Sequence, residues 1–298
     1  MIRGFFMVTL QQLRYFRELA ATGHLTQTAE RLYITQTTLS NTIINLEKQL
    51  GVKLFDRVGR TLQLNEAGRL YLMYVNEALI ALDNGENALT DYKDEYQQSV
   101  SVAMPISSVW SNLIHGFHKK YHHYSMRQIT CEQNQFRPLL TDQKIDFVIT
   151  GVDDVPMSGL EHYIIRVEEL FVCVPLDHPL ASKKGIYLHE VKDEPFINLP
   201  ANNSFRVFCD ELFKKAGIQY RAELECDYSL RGKLVAAGFG VAITTNSSRQ
   251  QNTLGDDVAY IPLLDDFAKR PIAIIWNPRH YLSKAALDFR DYVMETEL

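Results

Sequence analysis

The sequence lacks the features that identify a disulfide-bonded or membrane-spanning protein. Its four cysteines, Cys131, Cys173, Cys209 and Cys226, lie far apart and form no CxxC pair. We therefore expect reduced thiols, as in a cytoplasmic protein, and no disulfide framework. No apolar run approaches the ~18 residues of a transmembrane helix, and the N-terminal residues lack the apolar length of a signal peptide. We expect no membrane partner.

Positive charge is also scarce overall, but not in the N-terminal segment. The net charge of −5 over 298 residues argues against nonspecific coating of nucleic acid. Residues 1–65 carry eight Lys or Arg against four Asp or Glu, whereas residues 66–298 carry twenty-three against thirty-two. A small basic segment on a larger acidic body predicts one nucleic-acid-facing module attached to something else. The length favours two or more domains.

The basic segment is predicted to form three short helices. Apolar residues at helical spacing predict a helix that starts at Leu10 and ends at Gly23. Thr26 is a suitable N-cap for the second helix. A third helix is expected over residues 36–50, with Gly51 as its C-terminal stop.

The third helix separates into two faces. One is predicted to be buried because its apolar residues recur at spacings of 4, 3 and 4: Leu39, Ile43, Leu46 and Leu50. The opposite face, at ~100° per residue, carries Thr37, Asn41, Ile44 and Lys48. Short polar side chains on such a face can meet base edges or phosphates, and Ile44 can meet a thymine methyl. A solvated amphipathic helix is the alternative.

A hairpin and a long helix are predicted next. Residues 54–65 alternate in hydrophobicity and turn at Gly59, which places Arg57 and Arg60 at a protruding tip. Two cations there suit phosphate or minor-groove contacts, although a merely solubilising turn is the alternative. Residues 66–95 predict a helix of roughly 45 Å. We expect it to pack on a second copy of itself; a rigid spacer or two helices broken near Gly85 are the alternatives.

From Ser99 onward, strand candidates alternate with helices. This pattern predicts parallel sheets covered by helices, in two small α/β lobes. No Ser-His-Asp order, carboxylate pair or phosphate-binding loop has the strand and turn context of an active site. His115, His118 and His122 share a helix face that we expect to face solvent or a partner, so no metal is predicted.

These motifs together resemble the LysR-type transcriptional regulators. The N-terminal matches are LQQLRYF (10–16), TQTAERL (26–32), TQTTLS (35–40), IINLEKQLGVKLFDR (43–57) and LNEAG (64–68). Weaker matches follow at KID (144–146), DHPLA (177–181) and LVAAGFGVA (234–242). The resemblance covers essentially the whole chain after Met7. Residues 1–6 precede the start of the family pattern, which makes Met7 an alternative initiator.

The resemblance implies an α/β protein with three parts. We expect a winged helix-turn-helix over residues 7–65, a linker and dimerisation helix over 66–96, and an effector-binding domain of periplasmic-binding-protein type over 98–298. Within the last, lobe I is expected at about 98–165 and 270–298 and lobe II at about 166–269. The chain is expected to cross between them near 162–169 and 266–271.

For DNA, the resemblance makes the third helix the recognition helix. The predicted contact residues are Thr26, Gln27, Gln36, Thr37, Thr38, Ser40, Asn41, Arg57 and Arg60. Thr26 and Gln27 are expected at phosphates, and the two arginines on the wing. Because Thr37 and Asn41 differ from the residues frequent in the family, no operator sequence is predicted.

For an effector, the resemblance indicates the cleft between the lobes. The predicted contact residues are Ser107, Ser108, Gln133, Asn134, Asn202, Asn203, Ser204, Phe205, Arg206 and Tyr228. Helix N-termini with Ser and Asn donors suit an anion, so a small organic acid is expected. Arg206 is the predicted charge partner if it points into the cleft. No cofactor is predicted.

The predicted function is therefore sequence-specific regulation of transcription under the control of a small-molecule effector. The expected partners are double-stranded promoter or operator DNA, the effector, a homodimer or homotetramer, and RNA polymerase. The main alternative is a small-molecule-binding protein whose head mediates only protein contacts. An enzyme built on the α/β body is a weaker alternative, and none is predicted.

Overall fold

The structure, a computed structural model, describes residues 8–59, 61–93, 99–105 and 107–296. The chain divides into two compact units, Met1–Thr90 and Asp91–Leu298. The alternative starts at Met1 and Met7, and the wing residue Arg60, lie outside the described residues. Within the described ranges, no helix is long and apolar enough to cross a membrane.

The first unit is a winged helix-turn-helix followed by a long helix. Its elements are α1 (Leu10–Thr22), α2 (Leu25–Arg31), α3 (Gln36–Leu50), β1 (Phe55–Val58), β2 (Thr61–Leu64) and α4 (Glu66–Lys93). The predicted bounds of α3 are confirmed. The Thr35 hydroxyl caps its start by accepting from the Thr38 N–H, and Gly51, at φ 72°, ends it in the left-handed conformation.

The head core is built where the helices meet. Leu39, Ile43 and Leu46 of α3 are buried, as the spacing predicts, whereas Leu50 at the end of the predicted stripe is only half-buried. They join a cluster with Phe16 and Leu19 of α1 and with Val75 and Leu79 of α4, so one end of the long helix is part of the head. Each fully buried side chain of this size contributes about 1.5–3 kcal/mol. Packing of the apolar faces therefore orients α3.

The second helix begins earlier than predicted. His24, not Thr26, occupies the N-cap position of α2 and makes no side-chain capping bond. Thr26 lies in the first turn, and its hydroxyl donates to Gln36 Oε1 (3.3 Å). The prediction of Thr26 as N-cap was wrong because the tight turn after Gly23 brings Leu25 into the helix.

The turn between α2 and α3 holds a bulky residue in an unfavourable conformation. Tyr33 has φ 55°. Its N–H donates to Glu30 O (3.1 Å) and the Ile34 N–H to Ala29 O (3.0 Å), a helix ending that usually has Gly or Asn at this position. A left-handed Tyr costs about 1–2 kcal/mol. Its side chain is 96% exposed, so packing does not compensate for the cost.

The long helix α4 is continuous through Gly85. This excludes the alternative of two shorter helices broken there. Its 28 residues extend about 42 Å at 1.5 Å per residue. Large apolar side chains remain exposed along it: Leu70, Met73, Tyr74, Leu82, Leu89 and Tyr92.

The second unit is an α/β domain. Its strands are β3 (Ser99–Ala103), β4 (Ser125–Ile129), β5 (Phe147–Gly151), β6 (Glu161–Pro175), β7 (Pro195–Asn198), β8 (Arg221–Glu225), β9 (Ala242–Thr245), β10 (Val258–Pro262) and β11 (Lys269–Trp276). Its helices are α5 (Ser111–Lys120), α6 (Gln133–Thr141), α7 (Ser204–Lys215), α8 (Tyr228–Ala236), α9 (Asn246–Gln250) and α10 (Lys284–Glu295).

Two long strands connect two lobes of this unit. Residues 161–169 of β6 pair with β11, and the sheet continues from β11 through β5, β3 and β4. Residues 170–175 of β6 pair with β9 and β10 on the other side of the crossing. We call residues 99–169 and 269–296 the first lobe, and residues 170–268 the second lobe. Each lobe has its own buried apolar cluster.

The sheets are mixed, not parallel as expected. Parallel pairing joins β3 to β4 and β5, and β7 to β8, but β6 pairs antiparallel with β9, β10 and β11. The first half of β6 is not recognisable as a strand from the sequence. Residues 161–164 are exposed and carry no buried face, so their sequence shows no apolar alternation.

Close approach at Gly232 fixes the position of α8. A Cβ at this position would collide with the backbone of Leu254. We predict that Gly232→Ala lowers the free energy of unfolding by about 1–3 kcal/mol, because overpacking forces the backbone apart. Chemical unfolding of the full chain measures this change. Lys233→Ala, at the next, exposed position of α8, is the control and should change stability by less than about 0.5 kcal/mol. Equal stability of Gly232→Ala and the native chain would contradict the prediction.

Candidate functional sites

The outward face of α3 is polar and open. Thr37, Asn41, Ile44 and Lys48, which the helical spacing places opposite the buried stripe, are all exposed. The neighbouring Gln36 and Thr38 are exposed too, and Ser40 is half-buried. The head core holds this helix from behind, so its outer side chains are presented on a rigid support.

Five of the predicted DNA-contacting residues line one surface groove. They are Thr26, Gln27, Gln36, Ser40 and Arg57. The groove lies between the start of α2, α3 and the hairpin of β1 and β2. Thr37, Thr38 and Asn41 do not line it and continue the same exposed surface along α3.

Local hydrogen bonds position some of these polar groups. Gln36 Oε1 accepts from the Thr26 hydroxyl (3.3 Å), which joins the two helices of the motif. The Thr38 hydroxyl lies 2.8 Å from the Thr35 hydroxyl at the N-cap of α3. Thr38 therefore has a capping role that the sequence did not predict, and its hydroxyl is partly engaged within the protein.

A buried glutamate positions the wing. Glu47 lies on α3 and is 7% exposed. Its carboxylate accepts from the backbone N–H groups of Leu54 (2.9 Å) and Phe55 (3.4 Å), and from Lys53 Nζ (2.6 Å). The bonds fix the start of β1, and thereby the strand that carries Arg57, relative to α3. We did not predict this role, because a charged residue beside an apolar stripe is usually solvated.

The second site is a cavity between the lobes. Its cavity volume is about 40 Å³. Its walls include apolar side chains of the first lobe (Val109, Trp110, Ile149 and Ile272), residues of the second lobe (Ser204, Phe205, Tyr228 and Thr245), and Glu168 and Arg270 of the crossing strands.

Only some of the predicted effector residues line the cavity. Ser204, Phe205 and Tyr228 line the cavity. Asn202 and Asn203 line an adjoining cavity that also includes Ser204. Gln133 donates through Nε2 to Asp154 O (3.1 Å), and Asn134 is exposed and lines neither cavity. The side chains of Ser107 and Ser108 lie outside the described part of the chain, and only their backbone is seen, in a short 3-10 helix.

Arg206 does not point into the cleft. Its Nε donates to Asp210 Oδ1 (2.8 Å), one helical turn further along α7, and its Nη1 donates to Leu199 O (3.2 Å). It lines neither cavity. The predicted charge partner is thus corrected: the spacing of four residues from Asp210 pairs Arg206 along its own helix.

The crossing strands supply the charged groups of the cleft instead. Arg270 is 6% exposed, and its Nη2 donates to Asp154 Oδ2 (2.5 Å). On β6, Arg166 Nε lies 2.7 Å from Glu168 Oε1, and Glu168 also accepts from the Ser247 N–H (2.9 Å). Sequence reasoning missed these residues. The signal that could have identified them is the presence of charged residues in the segments predicted to cross between the lobes.

Hydrogen bonds also connect the lobes at the mouth of the cleft. Asn202 Nδ2 donates to Glu132 Oε1 (2.6 Å), and the Gln133 N–H reaches Asn202 O (3.4 Å). Within the second lobe, the Tyr228 hydroxyl donates to Asn203 Oδ1 (3.2 Å). Burial raises the pKa of Tyr228 to about 12, so this hydroxyl stays protonated at neutral pH.

The first lobe carries three histidines close together in sequence. His115, His118 and His122 are exposed. In the part of the chain that the structure describes, no group of three or more His, Cys, Asp or Glu side chains is arranged to hold a metal ion.

Comparisons with known proteins match both units. The family described as "Bacterial regulatory helix-turn-helix protein, lysR family" matches residues 10–69, and "LysR substrate binding domain" matches residues 93–297. The chain belongs to the LysR family. The LysR regulator is 33% identical to the uncharacterized HTH-type transcriptional regulator YybE of Bacillus subtilis, over 95% of this chain and 97% of that protein. It is 29% identical to the transcriptional dual regulator GltC of Bacillus subtilis, over 96% of each chain.

Solved structures show the same fold. The LysR regulator is similar to a full-length OxyR variant from Pseudomonas aeruginosa, with a TM-score of 0.65, 21% identity, and coverage of 97% of this chain and 95% of that one. For full-length CbnR in complex with its target DNA, the TM-score is 0.57 at 21% identity, with 96% and 98% coverage. The LysR regulator is thus a DNA-binding transcriptional regulator with a two-lobed substrate-binding domain, and the relatives named here are regulators, not enzymes.

Proposed function

We propose that α3 enters the major groove of promoter or operator DNA and reads its bases. The observation that carries this proposal is the exposed polar face of α3, held from behind by the buried stripe of Leu39, Ile43 and Leu46. A helix fits the major groove of B-form DNA, where each base pair has its own donor and acceptor pattern. In this proposal the protein acts in the cytoplasm, at a promoter, next to RNA polymerase.

The exposed residues divide into two proposed roles. Gln36, Thr37, Ser40 and Asn41 contact base edges, while Thr26, Gln27 and Thr38 contact the sugar-phosphate backbone. On the wing, Arg57 contacts phosphate, as does Arg60, which lies outside the described residues. Hydrogen bonds to phosphates fix the register of a protein on DNA, and those to base edges carry the sequence information.

Substitutions at the two classes should have different effects. We predict that Asn41→Ala and Gln36→Ala reduce the discrimination between specific and nonspecific DNA by about 1–3 kcal/mol, as for a lost base contact. Arg57→Ala should weaken binding to all sequences and reduce the slope of log K against log salt by about 1. Mobility-shift titrations with DNA upstream of the gene and with a scrambled duplex measure both quantities.

Lys192→Ala removes an exposed cation from the second unit and is the control for nonspecific charge effects. If base-edge and phosphate variants changed specificity and salt dependence alike, the proposed division would be wrong. If no variant of α3 altered DNA binding, the proposed recognition helix would be wrong.

Tyr33 extends the proposed DNA surface. It lies two residues before the N-cap of α3, is 96% exposed and adopts a conformation that suits Gly or Asn better. Because the fold gains nothing from a Tyr there, we propose that its side chain contacts the sugar-phosphate backbone. Tyr hydroxyls are among the groups that donate to phosphates.

Stability and binding should therefore move in opposite directions on substitution of Tyr33. Tyr33→Asn should raise the thermal stability of the first unit, by up to about 1 kcal/mol, because Asn tolerates the left-handed conformation. The same variant should bind DNA several-fold more weakly. Tyr33→Phe keeps the ring and the backbone strain, and isolates the hydroxyl. Unchanged DNA affinity of Tyr33→Asn would refute the proposed contact.

We further propose that α4 associates with a second copy of the chain. Leu82 and Leu89 lie on the part of α4 beyond the head core, and both are more than 40% exposed. An apolar stripe on a long helix is buried by a partner helix in most soluble proteins. This pairing would give a homodimer, or a homotetramer through a second contact, with two heads available for two half-sites.

A charge on this stripe should disrupt assembly. We predict that Leu82→Glu or Leu89→Glu shifts the protein toward smaller species in sedimentation velocity, since association would bury the carboxylate. Asn87→Glu adds the same charge on another side of α4 and should leave the assembly unchanged. A native assembly in both leucine variants would rule out this face as the interface.

The cleft of the second unit is proposed to bind a small-molecule effector, an organic acid, that controls DNA binding or bending. Ser204, Phe205 and Tyr228 line the cavity, and Asn202 and Asn203 lie at its mouth. A ligand that binds one lobe arrangement better than another shifts the population toward it. DNA footprints and bend angles, measured with and without a bound ligand, test this coupling.

A further inference from the structure

Several buried polar atoms around the interlobe cavity have no hydrogen-bond partner. Among the described side chains, these atoms are Arg270 Nε, Ser204 Oγ and Arg166 Nη2. Arg270 and Ser204 line the cavity and are 6% and 2% exposed. Arg166 stacks on the cavity residue Trp110, with 4.4 Å from its guanidinium carbon to the ring centre. A buried donor left unpaired loses its hydration without replacement, so such a cluster is uncommon.

All three atoms can donate a hydrogen bond. No carboxylate or carbonyl side-chain oxygen of the described residues that line this cavity is without a partner. Glu168 faces Arg166 and both polar groups of Ser247, and Asp154 accepts from Arg270, Gly151 and Thr150. The acidic groups of the cleft are therefore already compensated, while donor capacity remains.

We propose that Ser204 and Arg270 hold the anionic oxygen acceptors of a small carboxylic acid that has no ammonium group near its carboxylate. This inference deepens the proposed function, because it specifies the class of acid and the residues that select it. Carboxylate oxygens can accept hydrogen bonds from the unpaired donors of both residues. A hydrogen bond to a charged group is stronger than one between neutral groups. Ser204 is the first residue of α7, where the helix dipole also favours an anion, although Asn203 Oδ1 already accepts from the N–H groups of Phe205 and Arg206.

The rest of the cavity wall determines the body of the ligand. Val109, Trp110, Ile149 and Ile272 provide an apolar surface beside the two donor residues. Phe205 also lines the cavity, and its ring centre lies 5.2 Å from the Arg270 guanidinium carbon. These apolar walls favour an aliphatic or aromatic body, because a strongly polar body would lose its hydration without replacement.

The same pattern disfavours an α-amino acid. Its ammonium group carries three N–H donors, and burial of a charge requires a paired, hydrogen-bonded partner. Glu168 and Asp154 are the acidic candidates, and both already have cationic and neutral donors at hydrogen-bond distance. We therefore expect the cleft to distinguish a 2-oxo acid from the amino acid of the same carbon skeleton.

Matched pairs of ligands test the inference on the full-length protein. The probes are 4-methyl-2-oxopentanoate against leucine, phenylpyruvate against phenylalanine, and benzoate against benzamide. Thermal shift and isothermal titration calorimetry should show that at least one acid binds, and at least tenfold more tightly than its uncharged or amino counterpart. Inorganic phosphate distinguishes recognition of any oxyanion from recognition of a carboxylic acid, and should bind more weakly than the best acid.

Two variants assign the contact. Ser204→Ala removes an unpartnered hydroxyl, so the protein should fold as before and bind the acid about tenfold more weakly. Arg270→Gln should weaken binding further, and because it leaves Asp154 without its cation it should also lower stability. Arg206→Gln removes an arginine that pairs outside the cavity and should keep the native affinity.

Three results would overturn the inference: binding of no acid of the panel, equal binding of an acid and its counterpart, or unchanged affinity of Ser204→Ala. Mobility shifts on the same samples separate this outcome from failure of the proposed function. DNA binding without acid binding rejects the ligand class and retains the DNA-binding role. Acid binding that leaves footprint and bend angle unaltered retains the ligand class and rejects effector control.

Discussion

The burial of one narrow apolar stripe on α3 is the constraint on which the DNA-binding unit depends. Leu39, Ile43 and Leu46 must face the core, and at 3.6 residues per turn this orientation determines which residues face outward. The core also includes Val75 and Leu79 of α4, so recognition helix and long helix share one packing unit. If α3 rotated about its axis, the apolar stripe would become exposed and the polar face would turn toward the core.

Hydrogen bonds fix the positions of the neighbouring elements relative to α3. Glu47 uses a buried carboxylate to fix the start of the wing, and the bond between Thr26 and Gln36 connects α2 with α3. A carboxylate that accepts two backbone N–H groups in a buried place is a specific positional constraint, because loss of the carboxylate leaves those donors unpaired. Tyr33 is the exception in this unit, since its backbone conformation opposes stability and its side chain adds no packing.

In the second unit, the two crossing strands concentrate buried charge where the lobes meet. Glu168 and Arg270 are register neighbours on β6 and β11, and each is bonded to a different partner: Glu168 to Ser247 of the second lobe, and Arg270 to Asp154 of the first. Buried ion pairs contribute little to net stability, because their desolvation offsets the attraction. Their position between the lobes, next to unpaired donors, agrees better with ligand recognition and lobe coupling than with a contribution to folding.

Local sequence determined much of this protein. The periodicity of 36–50 with Gly51, the hairpin around Gly59 and the family motifs were sufficient for the helix-turn-helix, the wing and the α/β class, because these features depend on short-range spacing and backbone preference. Tertiary structure alone decided the antiparallel pairing of β6 and β11, the course of residues 161–164 and the role of Glu47. It also decided which arginine faces the cleft: Arg206 pairs with Asp210 along its own helix, while Arg270 reaches the cavity from a strand far away in sequence. Contacts of this kind depend on which distant segments pack together, and no local pattern in the chain records that choice.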